Sequence, residues 1–567
     1  MRLLLFFAAA GLLSAAPKAT QGDFDKLVDQ YFDDFFRYNP TQGTAAGFHQ
    51  YDPQLEDYSL ATIAAEIRSL KGFLTKFEQF PANALTADTA ADRDLVIHNI
   101  QSQLLSLETI RMWEKNPDVY SSSITSSAFT IISRRFAPPE ERLRSLIARE
   151  RLMKNVLGQA RHNLRNPPRI YTEVALQQLP GLAGFFKSDV PAAFKKVTDR
   201  KLLDEFQASN DAVIAALGEY QAFLKNDLLP RSKGDFRIGA ENYSKKLSYD
   251  EMVDLPLDKV LAVGYQNLRQ NQEAFRATAA KVDPKRAPQD ILHDLEKDHP
   301  AADRLLQTFR DVLGGLRQFI VEHKIVTIPS TVPPIVEETP PFMRALTTAS
   351  MDTPGPYEKV AKEAFFNVTL PEPGWTPEHV EEHLESFNRG TIISTAVHEV
   401  YPGHYTQFLW VQNAPSKVRK LIGAGSNAEG WAHYSEQMML DQGYGAGDLK
   451  LRLGQLQDAL LRNARYIVGI QMHTGKMTFA QAVEFFVKEG YQTHAIAEVE
   501  TKRGTSDPTY LVYTLGKLEI MKLREDYKNL RGANFSLLEF HDKFLAQGFP
   551  PIKIIRRAML GNDSPVL

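Results

Sequence analysis

The sequence predicts a mainly α-helical protein that contains one small β element. Apolar residues recur at intervals of three and four along most of the chain, as on the buried face of an amphipathic helix. Proline-bearing turns, such as NPPR at 166–169 and LPRS at 229–232, separate these helical stretches. Region 325–375 combines β-branched and aromatic residues with many prolines, which indicates short strands with irregular connections.

Composition limits the class of protein. At 567 residues the chain exceeds the size at which one hydrophobic core keeps growing, so we expect a subdivided domain or two domains. With 43% hydrophobic and 24% charged residues, it has the composition of a globular protein. The 66 basic and 69 acidic residues nearly cancel and form no basic stripe, which argues against nucleic acid as a partner. The absence of cysteine excludes thiolate nucleophiles and cysteine-ligated metals.

The N-terminus, MRLLLFFAAAGLLSAAPKA, has the pattern of a cleavable secretory signal over residues 1–16. Arg2 precedes an apolar run from Leu3 to Leu13, and small residues follow. This run is shorter than the roughly 20 residues that a bilayer requires. We therefore predict an exported protein, periplasmic or secreted, without a stable membrane anchor after cleavage. The mature chain is predicted to divide into a helical region, 17–324, and a second region, 325–567.

The stretch HEVYPGHYTQ, residues 398–407, carries the chemistry of the second region. In a zinc-binding HExxH helix, two histidines lie one turn apart and the glutamate lies near the metal. Here His404 comes six residues after His398, roughly 240° around an unbroken helix. Pro402 removes a helical N–H and Gly403 permits unusual dihedrals, so the helix must bulge or break. Such a break could return His404 to the metal, with Glu399 as the general base.

A third ligand is expected from NAEGWAHYSEQ, at residues 427–437. Catalytic zinc usually takes three protein ligands and keeps a fourth position open. We predict one Zn²⁺ per chain, held by His398, His404 and Glu429. Glu436 lies two turns beyond Glu429 and would orient one of the ligands by a hydrogen bond, without contacting the metal itself. His433, four residues after Glu429, stays a rival ligand.

These residues resemble the bacterial domain of unknown function 885 family, predicted zinc metallopeptidases with an HExxPGHxxQ motif followed by an EGWA segment. Both motifs are present, at residues 398–407 and 429–432. The similarity spans nearly the whole mature chain. Further matching segments are NPTQGTAAGFHQYDPQLEDYS near the N-terminus, IGAENYSKKL at 238–247, RNARYIVGIQMH at 462–473, ETKRGTSDP at 500–508 and YTLGK at 513–517.

The resemblance implies a large, gluzincin-like helical metallopeptidase with a deep cleft that acts on short peptides. By the same match, Arg465, His473, Arg503 and Tyr513 would line the cleft. Tyr513 would donate to the oxyanion, while Arg503 or Arg465 would pair with a peptide C-terminal carboxylate. The family often has an acidic residue shortly before the histidine that corresponds to His473, whereas this chain has Gly469 at that position.

The function predicted from the sequence is therefore zinc-dependent hydrolysis of short peptides by a metal-activated water and a glutamate base. Two alternatives stay open. One is a non-catalytic peptide-binding protein of the same fold, and the other is a zinc amidase that acts on non-peptide substrates. Endopeptidase or exopeptidase action, side-chain preference and oligomeric state are also open at this level.

Overall fold

The computed structural model describes residues 20–340, 343–344 and 347–567. The predicted signal peptide, residues 1–16, lies outside the described residues. Helices account for 71% of the chain, which confirms the mainly α prediction. Within the described ranges, no helix combines the length and the apolar character needed to cross a membrane.

Fourteen α-helices in the described ranges precede the sheet. Side-chain caps begin several of them: Thr20 and Asp23 form a capping box at α1, and Ser59 and Thr86 cap α3 and α4. The bounds are α1 Gln21–Tyr38, α2 Pro40–Ala46, α3 Leu60–Gln79, α4 Ala87–Leu104, α5 Met112–Lys115, α6 Asp118–Ser133, α7 Pro139–Asn163, α8 Arg169–Ala193, α9 Arg200–Phe223, α10 Leu229–Arg231, α11 Gly239–Glu251, α12 Leu257–Val282, α13 Pro288–Glu296 and α14 Leu305–Glu322.

Three short strands form one mixed sheet: β1 Ile335–Glu338, β2 Ala349–Asp352 and β3 Phe365–Val368. The central strand β3 runs parallel to β1, with Ile335 opposite Phe365, and antiparallel to β2, with Ala349 opposite Val368. All three strands lie within 325–375, where the sequence predicts them. Strands β1 and β2 are left as the edges of this sheet.

The helices that follow the sheet carry the predicted site. Asn388 starts the first of the long ones, α16, because its Oδ1 accepts the backbone N–H groups of Gly390 and Thr391 at 3.0 and 3.1 Å. The bounds are α15 Pro377–Glu385, α16 Arg389–Glu399, α17 His404–Val411, α18 Lys417–Leu421, α19 Gly425–Asp441, α20 Leu449–His473, α21 Phe479–Lys488, α22 His494–Ser506, α23 Val512–Arg531, α24 Leu537–Leu545 and α25 Ile552–Leu560.

One hydrophobic core joins α14, the sheet and the helices of the site. It contains Leu316 of α14, Phe366 of β3, Val397 of α16 and Trp431 of α19, all almost fully buried. The rings of Phe309 and Phe366 meet edge to face at 5.1 Å. The sheet is thereby fixed between α14 and α16. The division of the chain at residue 325 stays a prediction.

Two contacts between glycines bring the helices of the site to backbone distance. Helices α19 and α23 meet at Gly430 and Gly516, and we call this contact the glycine seam. A Cβ on Gly516 would lie 2.8 Å from Gly430 Cα and 1.7 Å from the carbonyl oxygen of Ser426. Helices α16 and α20 meet in the same way at Gly390 and Gly454, where a Cβ on Gly454 would lie 2.7 Å from Gly390 Cα. Larger residues would force these helix pairs apart.

The glycine seam predicts a marked effect of Gly516→Ala. Because the added methyl group would overlap backbone atoms, we expect a destabilisation of about 1–3 kcal/mol. The urea midpoint of the helical circular dichroism signal measures it. Gly218→Ala is the matched control, since Gly218 is an exposed helical glycine with no atom within 4 Å of an added Cβ. That control should gain about 0.4–1 kcal/mol, and equal losses in the two variants would contradict the seam.

Candidate metal centre

The chain breaks its helix between the two histidines of the HEVYPGH stretch. Helix α16 ends at Glu399 and α17 begins at His404, so the break includes Pro402 and Gly403, as their chemistry predicts. A Cβ on Gly403 would lie 1.8 Å from the carbonyl oxygen of His398, so only glycine fits there. The break brings the two imidazole rings together, with their centroids 4.8 Å apart.

Three predicted metal ligands converge at this break. Oε2 of Glu429 lies 3.3 Å from Nε2 of His398 and 3.4 Å from Nε2 of His404. All three ligand atoms lie within 4.8 Å of one another. Two ligands bound about 2.1 Å from a tetrahedral ion are about 3.4 Å apart, so the spacing suits a small divalent metal. Oε2 of Glu429 is buried, and its contacts to the two imidazoles are longer than the roughly 2.7–2.9 Å of strong charge-assisted hydrogen bonds, so its acceptor capacity is available to a cation.

The charges of this group compensate one another. Burial disfavours a charged His398, but hydrogen bonds to Glu429 and Glu436 outweigh it and raise the pKa of His398 to about 9. Burial would raise the pKa of Glu429, yet the charges and hydrogen bonds of His404 and His398 hold it well below its ordinary value. The carboxylate is therefore ionised and needs a positive partner, which is either an imidazolium or a metal ion.

Glu436 orients His398 from behind, which is the role the sequence predicts for it. Its Oε1 lies 2.7 Å from Nδ1 of His398 and 3.0 Å from a guanidinium nitrogen of Arg462. This hydrogen bond leaves Nε2 of His398 free to face Glu429. Burial opposes the charge on Glu436, but Arg462 and His433 outweigh it and lower the pKa of that carboxyl.

His433, the rival ligand, does not join the group of three. Its Nδ1 lies 3.0 Å from Oε2 of Glu436 and its side chain is fully buried. Burial and the nearby Lys517 lower the pKa of His433 to about 3, which keeps the ring neutral. Among the described residues, the one group with metal-ligand spacing contains His398, His404 and Glu429 but neither His433 nor Glu436.

Glu399, the predicted general base, is the last residue of α16 and is half-buried beside His398. Burial raises the pKa of Glu399, and the positive charges of His398 and His404 offset part of this effect. A carboxyl group whose pKa is raised above its ordinary value is a more effective proton acceptor than an ordinary glutamate. The position of Glu399 next to His398 and its raised pKa both suit a general base.

Tyr513 lies beside His398 and contacts Arg503, whereas Arg465 is already paired. The ring of Tyr513 stacks 6.3 Å from that of His398, and the tyrosine hydroxyl accepts a hydrogen bond from Nη2 of Arg503 at 3.2 Å. Nε and Nη2 of Arg465 donate to both oxygens of Glu500 at 2.7 and 2.8 Å. The two donors with which Arg465 would bind a substrate carboxylate are therefore already used by Glu500.

The structure does not bring His473 to the metal ligands. Its Nε2 donates to the carbonyl of Gly504 at 2.7 Å, and burial lowers its pKa to about 4. His473 thus supports the backbone next to Arg503 and acts as a positioning residue. Gly469, the departure from the family pattern, allows a close approach: a Cβ there would lie 2.9 Å from the carbonyl oxygen of Pro508. An acidic side chain has no room at this position.

Sequence reasoning missed Arg462 as a member of the site. Its guanidinium contacts Glu436 and lies 5.7 Å from the ring centroid of Tyr513. A signal was present, because Arg462 and Arg465 in RNAR lie about one helical turn apart on the same face of α20. The face that Arg462 shares with Arg465 therefore predicts that both lie on the same side of α20.

An aromatic pair next to His404 was also missed. The ring of Phe408 lies 6.4 Å from that of His404 and 5.1 Å from that of Phe549. Phe408 follows His404 by four residues on α17, so its side of the helix was predictable. Phe549 comes from a distant segment, and no local pattern connects it to the site.

Similarity to known proteins agrees with this fold. The model of a family described as "Bacterial protein of unknown function (DUF885)" matches residues 40–559. No curated protein matches the chain. A solved structure of "a putative lipoprotein of unknown function" from Shewanella oneidensis is 29% identical, with a TM-score of 0.78, over 95% of this chain and 99% of that chain. A putative lipoprotein from Colwellia psychrerythraea is 17% identical, with a TM-score of 0.79, over 96% and 99%, and it shares the fold.

Proposed function

The chain belongs to the bacterial protein family of unknown function DUF885. From the geometry of its candidate metal centre we propose that it is an exported, zinc-dependent peptidase acting on short peptides. One observation carries the proposal. Two imidazole nitrogens and a buried carboxylate oxygen, from His398, His404 and Glu429, converge at metal-ligand spacing, and the charges of these groups act on the neighbouring Glu399. This combination of ligands and base is the minimum that metal-assisted peptide hydrolysis requires.

The three ligands suit one Zn²⁺ per chain. Zinc prefers nitrogen and oxygen donors of this kind, and its catalytic sites hold three protein ligands. When bound, zinc supplies a Lewis acid that polarises a carbonyl group and increases the acidity of water. Glu436 keeps Nε2 of His398 directed toward the ligand group through its hydrogen bond to Nδ1.

The residues of this chain supply the proton transfers and the charge stabilisation. Glu399 accepts a proton from the attacking water, whose oxygen bonds to the acyl carbon, and delivers it to the leaving amine as the C–N bond breaks. Tyr513 donates a hydrogen bond to the carbonyl oxygen as negative charge develops on it. Burial and the charge of Glu429 raise the pKa of Tyr513, so the hydroxyl keeps its proton for this role.

The edge of the small sheet offers a place for the substrate backbone. Strand β2 pairs only with β3 among the described strands, and it contacts α16, the helix that carries His398 and Glu399. An extended peptide can add to such an edge through main-chain hydrogen bonds. We propose that peptides lie along β2 with the bond to be cleaved next to Glu399.

Export is supported by two observations. The N-terminal segment has the pattern of a secretory signal, and the similar structure from Shewanella oneidensis is described as a putative lipoprotein. This chain has no cysteine to carry a lipid, so we propose a periplasmic or secreted protein without a lipid anchor.

A mixed peptide library tests the proposed function. Purified protein should contain one zinc per chain by elemental analysis, and it should produce new peptide termini in mass spectra. A chelator should stop cleavage and added zinc should restore it. Zinc-loaded protein that leaves the whole library intact would refute the peptidase proposal and would favour a peptide-binding protein or an amidase on other substrates.

Zinc binding should depend on pH because of His398. With a pKa of about 9, His398 stays protonated between pH 6 and pH 8 and must lose its Nε2 proton to bind a metal. We therefore expect the apparent zinc affinity to rise up to tenfold per pH unit across this range, with proton release. Competition with a chromophoric chelator at several pH values measures this dependence. An ordinary histidine, with a pKa of about 6.5, would instead give an affinity that levels off above pH 7.

A further inference from the structure

Three arginines surround Tyr513 next to the metal ligands, and two of them are neutralised. The guanidinium carbons of Arg462, Arg465 and Arg503 lie 5.7, 5.0 and 5.9 Å from the Tyr513 ring centroid. Arg465 forms the fork with Glu500, and Arg462 faces the buried carboxylate of Glu436 at 3.0 Å.

Arg503 keeps donors that the described residues do not use. Among the residues that the structure describes, its one acidic neighbour within ion-pair distance is Asp507 at 3.4 Å, and the two side chains are 40% and 41% exposed. The hydrogen bonds that it makes in the described chain, to Asp507 and Tyr513, both come from Nη2. A guanidinium has five N–H donors, so Nε and Nη1 retain three that can reach an incoming group.

These free donors suit a planar anion. A guanidinium binds a carboxylate through two parallel hydrogen bonds, a geometry that Arg465 already displays on Glu500. Arg503 is solvent-accessible and lies against the hydroxyl of Tyr513, the group that we propose contacts the substrate carbonyl. A peptide offers such an anion at its C-terminus.

We propose that Arg503 binds the free C-terminal carboxylate of the substrate, so that the protein releases short C-terminal fragments. This inference rests on the proposed peptidase function. The distance to the ligands sets the fragment length: the Tyr513 ring lies 6.3 Å from the His398 ring and 5.9 Å from the Arg503 guanidinium. An extended residue spans about 3.3–3.6 Å, so the gap holds at most about three residues.

Arg503 contributes little to folding, which makes it suitable for mutation. Arg503 lies in the last turn of α22, and Asp507 directly follows that helix. Their i, i+4 ion pair is exposed, and exposed pairs add little stability. Arg169→Gln is a matched control, because Arg169 forms a similar exposed i, i+4 pair with Glu173 on α8, far from the ligands in sequence.

A hexapeptide library made in two forms, free acid and C-terminal amide, tests the inference. Zinc-loaded protein should remove one to three residues from the free acids and should cleave the amides at least about tenfold more slowly. Equal cleavage of both forms at internal bonds would overturn this inference while leaving the proposed function intact. Cleavage of neither form would overturn the proposed function and this inference with it.

Variants identify the residue responsible. Arg503→Gln should raise KM for free-acid peptides by about 10–100-fold, the loss expected for a charge-assisted hydrogen bond, with kcat nearly unchanged. The KM for amides should not change, and Arg169→Gln should behave as the wild type. An equal rise in KM for acids and amides would refute a role in carboxylate binding.

Binding without turnover gives an independent readout. Calorimetry with zinc-free protein should find that one hexapeptide binds more tightly as the acid than as the amide, and that Arg503→Gln removes this preference. A third peptide, the amide with aspartate as its last residue, separates the two sources of negative charge. Binding of this peptide as tight as that of the free acid would overturn recognition of the main-chain carboxylate.

Discussion

Glu399→Gln is expected to keep its zinc and lose about 10²–10⁴-fold in kcat, the usual contribution of a positioned general base. The substitution preserves the size of the side chain and the three ligands, but it removes the group that accepts the proton from water. Metal content and kcat are measured on the same preparation. Glu399 adjoins His398 and is half-buried, so both measurements are needed to separate lost chemistry from lost metal.

The control for this variant is Glu382→Gln. Glu382 is an exposed residue of α15, and its neutralisation changes the net charge of the protein by the same amount. It should retain wild-type kcat and zinc. Full activity of Glu399→Gln would show that another group is the base, while loss of zinc from it would show that Glu399 supports metal binding.

Glu429→Gln should have the opposite effect on metal. Removal of the one charged ligand should weaken zinc binding by at least about 100-fold, because loss of orienting groups outside the ligand set already weakens it by about 10–100-fold. Activity should fall with occupancy and should return in part at high zinc concentration. Chelator competition measures the affinity.

The two variants form a matched pair. Each exchanges one carboxylate for an amide at the same site, and only the ligand variant should lose the ion. The pKa of His398 should also fall in Glu429→Gln, because a hydrogen bond that raises this pKa is removed. If Glu429→Gln bound zinc as tightly as the wild type, His433 would have to be reconsidered as the third ligand.

The convergence of His398, His404 and Glu429 was predictable in part because the signals for it are local in the sequence. The proline and glycine of HEVYPGH mark the helix break, and the EGWA segment marks the third ligand with its orienting carboxylate, Glu436. The helix break needs only helix geometry over a few turns, whereas the choice of Glu429 rests on the usual number of zinc ligands and on the resemblance to the family motif. The mainly helical fold and the strands within 325–375 follow from periodicity and composition in the same way.

The remainder of the site depends on contacts between distant segments, which local patterns do not encode. Nothing in ETKRGTSDP indicates that Glu500 neutralises Arg465 and leaves Arg503 available. His473 matches the family motif, yet its place is decided by the carbonyl of Gly504, 31 residues further along. Phe549 reaches the site from a segment with no recognisable motif.

The glycine seam has a consequence for motion in the protein. Glu429 directly precedes Gly430 on α19, and Tyr513 comes one turn before Gly516 on α23. The predicted ligand Glu429 and the hydroxyl of Tyr513 are therefore carried by two helices in backbone contact. This part of the site will behave as a single rigid block. A hinge motion that opens the site would therefore bend around this block, and crystals with and without a bound ligand should superpose on α19 and α23.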